Sequence, residues 1–403
     1  MQKNLYKLQA YGFFHSLIFA YIIERLFGLE RGLSIQDMVW VEISYAALTV
    51  LLEVPTGALA DRWSRKKVMV LSAIFCFFEF YLLIFAYSLW GFLLSALAAA
   101  IGNCLASGTD NALLYDSLKA QGQADKFEKY FGRIRFWGSL AGLAAALLGS
   151  QIAVRLNLTA NYWFSLIGVG ACILISLSLK EPPIRSRDES PESEVGDGGY
   201  WQHIFTALRF VRDHASLGTV VVYAAVLAAG FVYLDEYSQI YLKQVGIPIT
   251  LFGIWSGLYM LLEIGCVASA WRLKDLFKNL FRGRFGTRVL FTLLLLGSGT
   301  AMLVAGEVHS PWGLIPVLLA FCAIWLSQPL TTGYLHHHTE SHHRATVESC
   351  ANLLSNGGSV LLGLVFGWVA THFSIFRGYQ LLGGVLLIYG LYWIFSSRKL
   401  ENR

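Results

Sequence analysis

The chain has 403 residues, of which 56% are hydrophobic and 14% are charged, whereas ordinary soluble domains carry about 25% charged residues. This composition excludes a soluble globular protein, and the mean hydropathy of +0.54 predicts a chain that crosses a lipid bilayer several times. The net charge of +5 is distributed over many short segments instead of one patch, so it gives no indication of nucleic-acid binding.

Twelve apolar stretches are long enough to cross the bilayer as helices, each of which takes about 20 residues. In chain order these spans 1 to 12 lie at 8–28, 36–57, 68–88, 91–117, 133–154, 160–179, 216–242, 250–271, 285–306, 311–333, 346–371 and 376–396. Between spans 6 and 7, a segment rich in Ser, Pro, Gly and acid cannot bury enough apolar surface to fold, and an amphipathic surface helix is expected just after it. The sequence therefore predicts an N-terminal six-helix bundle over 1–180, a linker over 181–215 and a C-terminal six-helix bundle over 216–403.

The basic residues predict the orientation, because Lys and Arg in short loops accumulate on the cytoplasmic side. With both termini in the cytoplasm, 26 of the 31 basic residues lie inside and five lie outside. The outside set comprises Arg25, Arg31, Arg155, Lys243 and Arg377. We therefore expect a multi-pass protein of the inner or plasma membrane with both termini cytoplasmic.

The segment EVPTGALADRWSRKK, residues 53–67, begins in span 2 and leads into span 3. Glu53, Gly57 and Asp61 are four residues apart and share one face of a helix. At Gly57 a neighbouring helix can approach closely, so that Asp61 can face the positive N-terminal end of another helix.

This segment resembles the signature loop of the major facilitator superfamily, which reads Gly, three residues, Asp, Arg or Lys, any residue, Gly, Arg, Lys. The matching positions are Gly57, Asp61, Arg62, Arg65 and Lys66, while Ser64 replaces the second glycine. The resemblance implies two six-helix bundles and a conformational latch in which Arg65 pairs with Asp116 of span 4. In the alternative interpretation, the basic residues of this loop only set the topology.

Six of the acids within the predicted spans are candidates for a functional role, because an ionised side chain there costs about 2.5–3.5 kcal/mol unless it has a partner, a water-filled cavity or a proton. By depth, Glu79 and Glu263 are near the centre, Asp235 and Glu236 lie in the outer part of span 7, and Asp110 and Glu53 lie nearer the inside. The resemblance implies that spans 1, 4, 7 and 10 line a central cavity, which favours Asp110, Asp235 and Glu236 over Glu79.

Such acids can bind and release protons as their exposure changes sides, and they can attract a cationic, lipophilic solute. The cavity spans also offer polar and aromatic candidates, among them Tyr11, His15, Asn103, Gln328 and Trp325. Asp235 and Glu236 point about 100° apart on a helix, so one of the two can face away from the cavity. The Arg-led motif in span 4 and the Gly-Pro motif in span 5 of the family's drug–proton antiporters are both absent, which weakens the case for antiport specifically.

The loop after span 10 reads YLHHHTESHHRATVES and holds five histidines within eight residues. Neutral imidazoles bind zinc, nickel or copper, which makes His336, His338 and His342 metal candidates. The simpler interpretation is a solvated cytoplasmic segment whose partial charge supports the orientation, without a metal.

Motifs for other functions are missing. No phosphate-binding Gly-x4-Gly-Lys-Ser/Thr loop, HExxH, GxSxG or CxxC pair occurs, so we expect neither an ATP-driven pump nor an enzyme, and no cofactor. The six single cysteines are expected to be small core residues. The leading hypothesis is a monomeric secondary transporter, resembling bacterial drug-efflux members of the family, that exports an amphipathic or cationic small molecule in exchange for protons. The alternatives are uptake of a nutrient by symport or facilitated diffusion, and a non-transporting membrane sensor with a metal-binding histidine loop.

Overall fold

The structure is a computed structural model that describes residues 2–181, 215–281, 284–337, 339 and 344–397. Within these residues, twelve helical segments are long and apolar enough to cross a membrane, which confirms the predicted number of spans. The surface helix predicted after residue 200, as well as His338 and His342, lies outside the described residues.

Spans 1 to 6 are helical, and two of them are interrupted. Span 1 consists of Gln2–Ser16, a 3-10 turn at Tyr21–Ile23 and Glu24–Glu30, and span 4 consists of Leu89–Ala106 and Thr109–Lys119. The remaining helices of this set are Ile35–Arg62 in span 2, Arg65–Ile84 in span 3, Phe127–Arg155 in span 5 and Leu158–Ser178 in span 6. The sequence predicts spans 1 and 4 as single, mainly apolar stretches and does not predict these interruptions.

Spans 7 to 12 follow the same pattern of long helices with short connections. Their helices are Ala215–Glu236, Phe252–Leu280, Arg284–Glu307, Leu314–His337, Arg344–His372 and Ile375–Ser396. A short helix, Ser238–Gln244, follows span 7, and 3-10 turns at Ile249–Leu251 and Pro311–Gly313 lead into spans 8 and 10.

Side-chain caps start several of these helices directly after a tight connection. Ser34 and Asp37 form a capping box at the start of span 2, with the Asp37 N–H 3.1 Å from Ser34 Oγ and the Ser34 N–H 2.9 Å from Asp37 Oδ2. Asn157 caps span 6 by accepting the Ala160 N–H at 2.7 Å. These caps satisfy N–H groups that have no partner within the helix, so the connections can stay short.

The chain divides into two compact units. The first comprises the described residues of Met1–Pro191 together with Pro248–Gly257, and the second comprises those of Glu192–Ile247 and Leu258–Arg403. In the first unit, an apolar core joins spans 1, 3, 4 and 6 around Leu8, Met69 and Leu114.

The predicted role of the cysteines as core residues fits four of the six positions. Cys76, Cys104, Cys172 and Cys350 are buried, whereas Cys266 and Cys322 are only partly buried, and all six are free thiols.

In the second unit, buried tyrosines fix the positions of the helices. Tyr223 of span 7 donates to the carbonyl oxygen of Phe291 at 3.1 Å, and Tyr233 donates to that of Ser359 in span 11 at 2.7 Å. A Cβ atom at Gly363 would lie 1.9 Å from the Tyr233 hydroxyl, so only glycine allows this contact. In the short helix after span 7, the hydroxyl of the buried Tyr241 donates to the Ala305 carbonyl oxygen at 2.8 Å.

Candidate functional site

The start of the span 3 helix carries an ion pair with span 4. Arg65, the first residue of the span 3 helix, pairs with Asp116 and also donates from Nη1 to the carbonyl oxygen of Ala112 at 2.8 Å. Asp116 is only 2% exposed, so its charge depends on partners at this place. The structure thus brings together two of the residues that the resemblance assigns to the latch.

The other latch candidates lie next to this pair along the chain. Gly57, Asp61 and Arg62 belong to the last turns of the span 2 helix, and their side chains lie outside the described part of the structure. Lys66 is half-buried in the first turn of span 3, and its backbone N–H makes the contact described next.

A carboxylate that the sequence did not reveal caps the start of span 3. Glu181 accepts hydrogen bonds from Ser64 Oγ at 2.5 Å and from the backbone N–H groups of Arg65 and Lys66, both at 3.0 Å. A negative charge at this position interacts favourably with the positive end of the helix dipole. Because Glu181 and Arg65 are 116 residues apart, no local sequence pattern connects them.

The start of span 1 holds the segment that carries Glu181. The Asn4 side chain donates to the carbonyl oxygen of Lys180 at 2.7 Å and accepts the Lys180 N–H at 3.1 Å. Lys7 Nζ donates to the carbonyl oxygen of Ser178 at 2.5 Å. Spans 1, 3, 4 and 6 therefore meet in one polar network around the start of span 3.

Asp110 lies where span 4 is interrupted. Gly108 separates the two helices of the span with a φ of 73°, a left-handed conformation that favours glycine. Asp110 lies in the first turn after this break, is half-buried, and accepts the Asn111 N–H at 2.7 Å through Oδ1. The break thus places a carboxylate at a helix N-terminus inside the membrane-spanning region.

Tyr11 and His15 of span 1 lie near Asp110. Their rings stack with centroids 5.6 Å apart, and the Asp110 charge acts on both side chains. Tyr11 is buried and His15 is half-buried. Three of the predicted proton or substrate residues are therefore neighbours in the first unit.

Two further predicted residues lie on a different part of the first unit. Asn103 of span 4 is exposed and donates to the Tyr45 hydroxyl of span 2 at 3.1 Å. Glu53 is also exposed, and its charge acts on Cys104. These contacts connect spans 2 and 4.

In the second unit, Tyr259 of span 8 brings the predicted acids together. The Tyr259 side chain lies within electrostatic range of Asp235 and Glu236 of span 7 and of Glu263 in span 8. All three acids are half-buried. The sequence analysis did not single out Tyr259, because span 8 is not one of the spans that the resemblance assigns to the cavity.

An aromatic cluster adjoins Tyr259. The Tyr259 ring lies edge-on to Trp325 and Phe321 of span 10, with centroids 4.6 and 4.9 Å apart, respectively. Phe321 stacks on Trp325 at 5.2 Å, and Phe231 of span 7 meets Phe321 edge-on at 5.9 Å. We call these four residues the aromatic cluster.

A cavity of about 310 Å³ lies within the second unit between spans 7, 10 and 11. Span 7 contributes small and apolar side chains, and Trp325 of the aromatic cluster also lines the cavity. The polar side of the wall comes from spans 10 and 11 and comprises Ser327, Gln328, Thr331, Thr332, Asn352 and Ser355. The predicted residue Gln328 therefore faces a cavity, whereas Asp235, Glu236 and Glu263 are not part of its wall.

His336, at the end of span 10, also lines this cavity and is half-buried. Of the metal candidates, only His336 lies in the described part of the chain. No group of three His, Cys, Asp or Glu residues among the described residues is placed to hold a metal ion.

Comparison with known proteins gives the family. Residues 10–283 match the model of the Major Facilitator Superfamily. The class H tetracycline resistance protein of Pasteurella multocida is 20% identical over 339 residues, which are 81% of this chain and 78% of that protein. The class B tetracycline resistance protein of Escherichia coli is 19% identical over 338 residues, which are 81% of this chain and 77% of that protein.

Solved structures of transporters share the fold. A mutant of the nucleoside transporter NupG matches with a TM-score of 0.72 at 14% identity, covering 99% of both chains. A bacterial homologue of the human lysosomal transporter Spinster, in an inward-facing and unoccupied conformation, matches with a TM-score of 0.69 at 16% identity, covering 100% of this chain and 98% of that chain. The chain therefore belongs to the Major Facilitator Superfamily and is a multi-pass membrane transporter, not an enzyme.

Proposed function

We propose that this transporter exports an amphipathic small molecule in exchange for protons, by alternating access, as a monomer in the cell membrane. The observation that carries the proposal is the pair of half-buried carboxylates inside the spans, Asp110 in the first unit and Asp235 in the second. A carboxylate inside a membrane-spanning segment is costly to keep and is expected to serve a function.

Each of these acids lies among groups that suit proton exchange. Asp110 is near His15 and Tyr11, and Asp235 is near Tyr259. We assign Asp110 and Asp235 as the protonation sites. Glu236, Glu53 and Glu263 remain secondary candidates for proton binding, with Asn103 and Gln328 as candidates for substrate contact.

The polar network around the start of span 3 supports alternating access, which is the second part of the proposal. Arg65 and Asp116 form a buried ion pair, and with Asp61 they constitute the proposed conformational latch. A latch of this kind favours one state of the transporter, so its loss would shift the population toward the inward-open state.

The tetracycline resistance proteins support export as the direction, although they are only about 20% identical to this chain. Tetracycline is therefore a reasonable first test compound, together with a broad panel of amphipathic molecules and nucleosides.

The test is proton movement in inverted membrane vesicles. A substrate added to vesicles with an established proton gradient should dissipate the gradient, as reported by a pH-sensitive dye. Asp235→Asn should abolish this response because the amide cannot carry the proton. Asp125→Asn, at an exposed acid between spans 4 and 5, should leave it intact.

Export by antiport is contradicted if no compound of the panel dissipates the gradient. Uptake is the alternative direction. It predicts that Asp235→Asn lowers the accumulation of the substrate in intact cells, whereas export predicts that the same substitution raises it. The sensor alternative predicts that the parent chain shows no substrate flux. It also predicts that replacing the five loop histidines by Ser removes metal binding.

A further inference from the structure

We infer that the cavity of the second unit takes an uncharged ligand rich in hydrogen-bond acceptors, and that the amide side chains of Gln328 and Asn352 and the indole N–H of Trp325 recognise it. The inference rests on the proposed function insofar as this ligand is the transported molecule. The inference narrows the substrate class from amphipathic molecules in general to uncharged ones. The acids inside the spans would by themselves favour a cation.

The first argument is the chemistry of the wall. Four polar side chains form one stripe along span 10, because residues four apart lie on the same face of a helix. They are Ser327 with Thr331 and, next to them, Gln328 with Thr332. Asn352 and Ser355 are three apart on span 11 and form a second stripe. The opposite side, from span 7, is apolar. A ligand in this cavity thus meets neutral hydrogen-bonding groups on one side and an apolar surface on the other, as in most small-molecule sites.

The second argument is charge. The described wall contains no Asp, Glu, Lys or Arg, and its single titratable side chain is that of His336. An ion placed in such a cavity would lose water without gaining a counter-charge, which is unfavourable. An uncharged ligand with carbonyl, ether or hydroxyl groups has no such penalty.

The third argument is unused hydrogen-bonding capacity. Ser327 and Thr331 are occupied, since each hydroxyl donates to a carbonyl oxygen of its own helix. In the described part of the chain, by contrast, the side chains of Gln328 and Asn352 form no hydrogen bond, and the buried Trp325 Nε1–H has no acceptor. An unsatisfied buried donor is destabilising, and an acceptor on a ligand would satisfy it.

The position of Asp235 explains how an acid can be close to the cavity without making it a cation site. Trp325 lines the cavity, the Tyr259 ring lies against Trp325, and the Asp235 charge acts on the Tyr259 side chain. The aromatic cluster therefore stands between the carboxylate and the ligand. Proton and ligand then occupy separate places that share one layer of side chains.

The test measures binding of matched compounds to the purified full-length protein. Two pairs share ring and chain and differ only in a terminal hydroxyl or ammonium group: 4-hydroxyphenethyl alcohol with tyramine, and 2-(1-naphthyl)ethanol with 2-(1-naphthyl)ethylamine. Saturation-transfer NMR titrations at pH 7 give the dissociation constants. We expect each alcohol to bind at least tenfold more tightly than its amine.

Variants assign this binding to the cavity. Gln328→Leu and Asn352→Leu should each weaken alcohol binding about tenfold, and Trp325→Phe, which keeps the ring and removes the N–H, should weaken it about threefold. Both amide side chains are exposed, so neither leucine variant disturbs a packed core. Gln244→Leu, the same kind of change at an exposed position outside the cavity, should bind like the parent chain.

Three results overturn the inference: the amines bind as tightly as the alcohols, alcohol binding survives in both leucine variants, or no alcohol binds saturably. Because the assay uses no proton gradient, it is independent of the proposed function. Selective alcohol binding without any substrate-driven proton movement would leave the ligand class standing and would remove proton-coupled export.

Discussion

Arg65 and Asp116 illustrate how a single side chain contributes to stability within the first unit. Asp116 is almost fully buried, and Arg65 compensates its charge at the start of span 3. Removing one partner of a buried ion pair leaves the other charge uncompensated, which costs more than removing both.

We predict that Arg65→Ala lowers the free energy of unfolding by about 1–3 kcal/mol, because the Asp116 carboxylate loses its described cation. Asp116→Asn in the Arg65→Ala background should recover part of this loss. Thermal unfolding in detergent of both single variants and the double variant measures the coupling. Lys67→Ala, an exposed charge in the same turn, is the control. Additive effects of the two substitutions would contradict the prediction.

Individual contacts differ in how far the sequence predicts them. Arg65 and Asp116 were predicted as partners through the resemblance of the loop to a known signature, and the structure places them in contact. Glu181 was not predicted, because its three hydrogen bonds depend on the fold bringing together residues 116 positions apart. Tyr259 was not predicted for a related reason. Its proximity to Asp235 depends on how spans 7 and 8 pack against each other and not on its own neighbours in the sequence.

At the scale of helices, the interruptions of spans 1 and 4 are the features that hydropathy alone did not predict. Hydropathy gave the number and approximate ends of the spans, since every span needs enough apolar residues to cross the bilayer. A break inside a span requires that neighbouring helices, side chains, ordered water or a local adjustment of the backbone satisfy the freed backbone groups. Where the partner is a side chain of a different helix, a single stretch of sequence does not reveal it.

Asn161 is the partner for the break in span 1. It is fully buried in span 6, and its Nδ2 donates to the carbonyl oxygens of Phe19 at 2.7 Å and Gly149 at 2.8 Å. We predict that Asn161→Leu lowers the free energy of unfolding by about 1–2 kcal/mol, because both carbonyl groups lose a donor.

The same unfolding measurement in detergent checks this value. Gln123→Leu, in the connection between spans 4 and 5, makes a similar polar-to-apolar change at a side chain without a hydrogen bond in the described chain and should have little effect. Equal stability of the Asn161→Leu variant and the parent would show that the break needs no such partner.

Gly108 permits the break in span 4. We predict that Gly108→Ala destabilises the protein by about 1–2 kcal/mol, because an L-residue pays that amount in a left-handed conformation. Gly108→Asn should cost less, since asparagine tolerates this region. Gly132→Ala, at a helical glycine of span 5 with open space around it, should instead be neutral or slightly stabilising. A stable Gly108→Ala variant would mean that the helix of span 4 can continue through this point.

At the scale of the whole chain, the even number of spans predicts that both ends lie on one side of the membrane. The distribution of basic residues, 26 against five, favours the cytoplasm as that side. We predict that a green fluorescent protein fused to Arg403 is fluorescent and that alkaline phosphatase at the same place is inactive. A phosphatase fusion after Lys243, in an outer connection, should be active. Phosphatase activity at the carboxyl end would contradict the topology and with it the inner location of the Arg65–Asp116 pair.

The cap that Glu181 places on span 3 also has a consequence for biosynthesis. Ser64, Arg65 and Lys66 leave the ribosome 116 or so residues before their acceptor does. At about 5–20 residues per second, this interval amounts to roughly 6–23 s. During that time the backbone N–H groups at the start of span 3 lack their anionic partner. The Glu181 cap can therefore form only after span 6 has been translated.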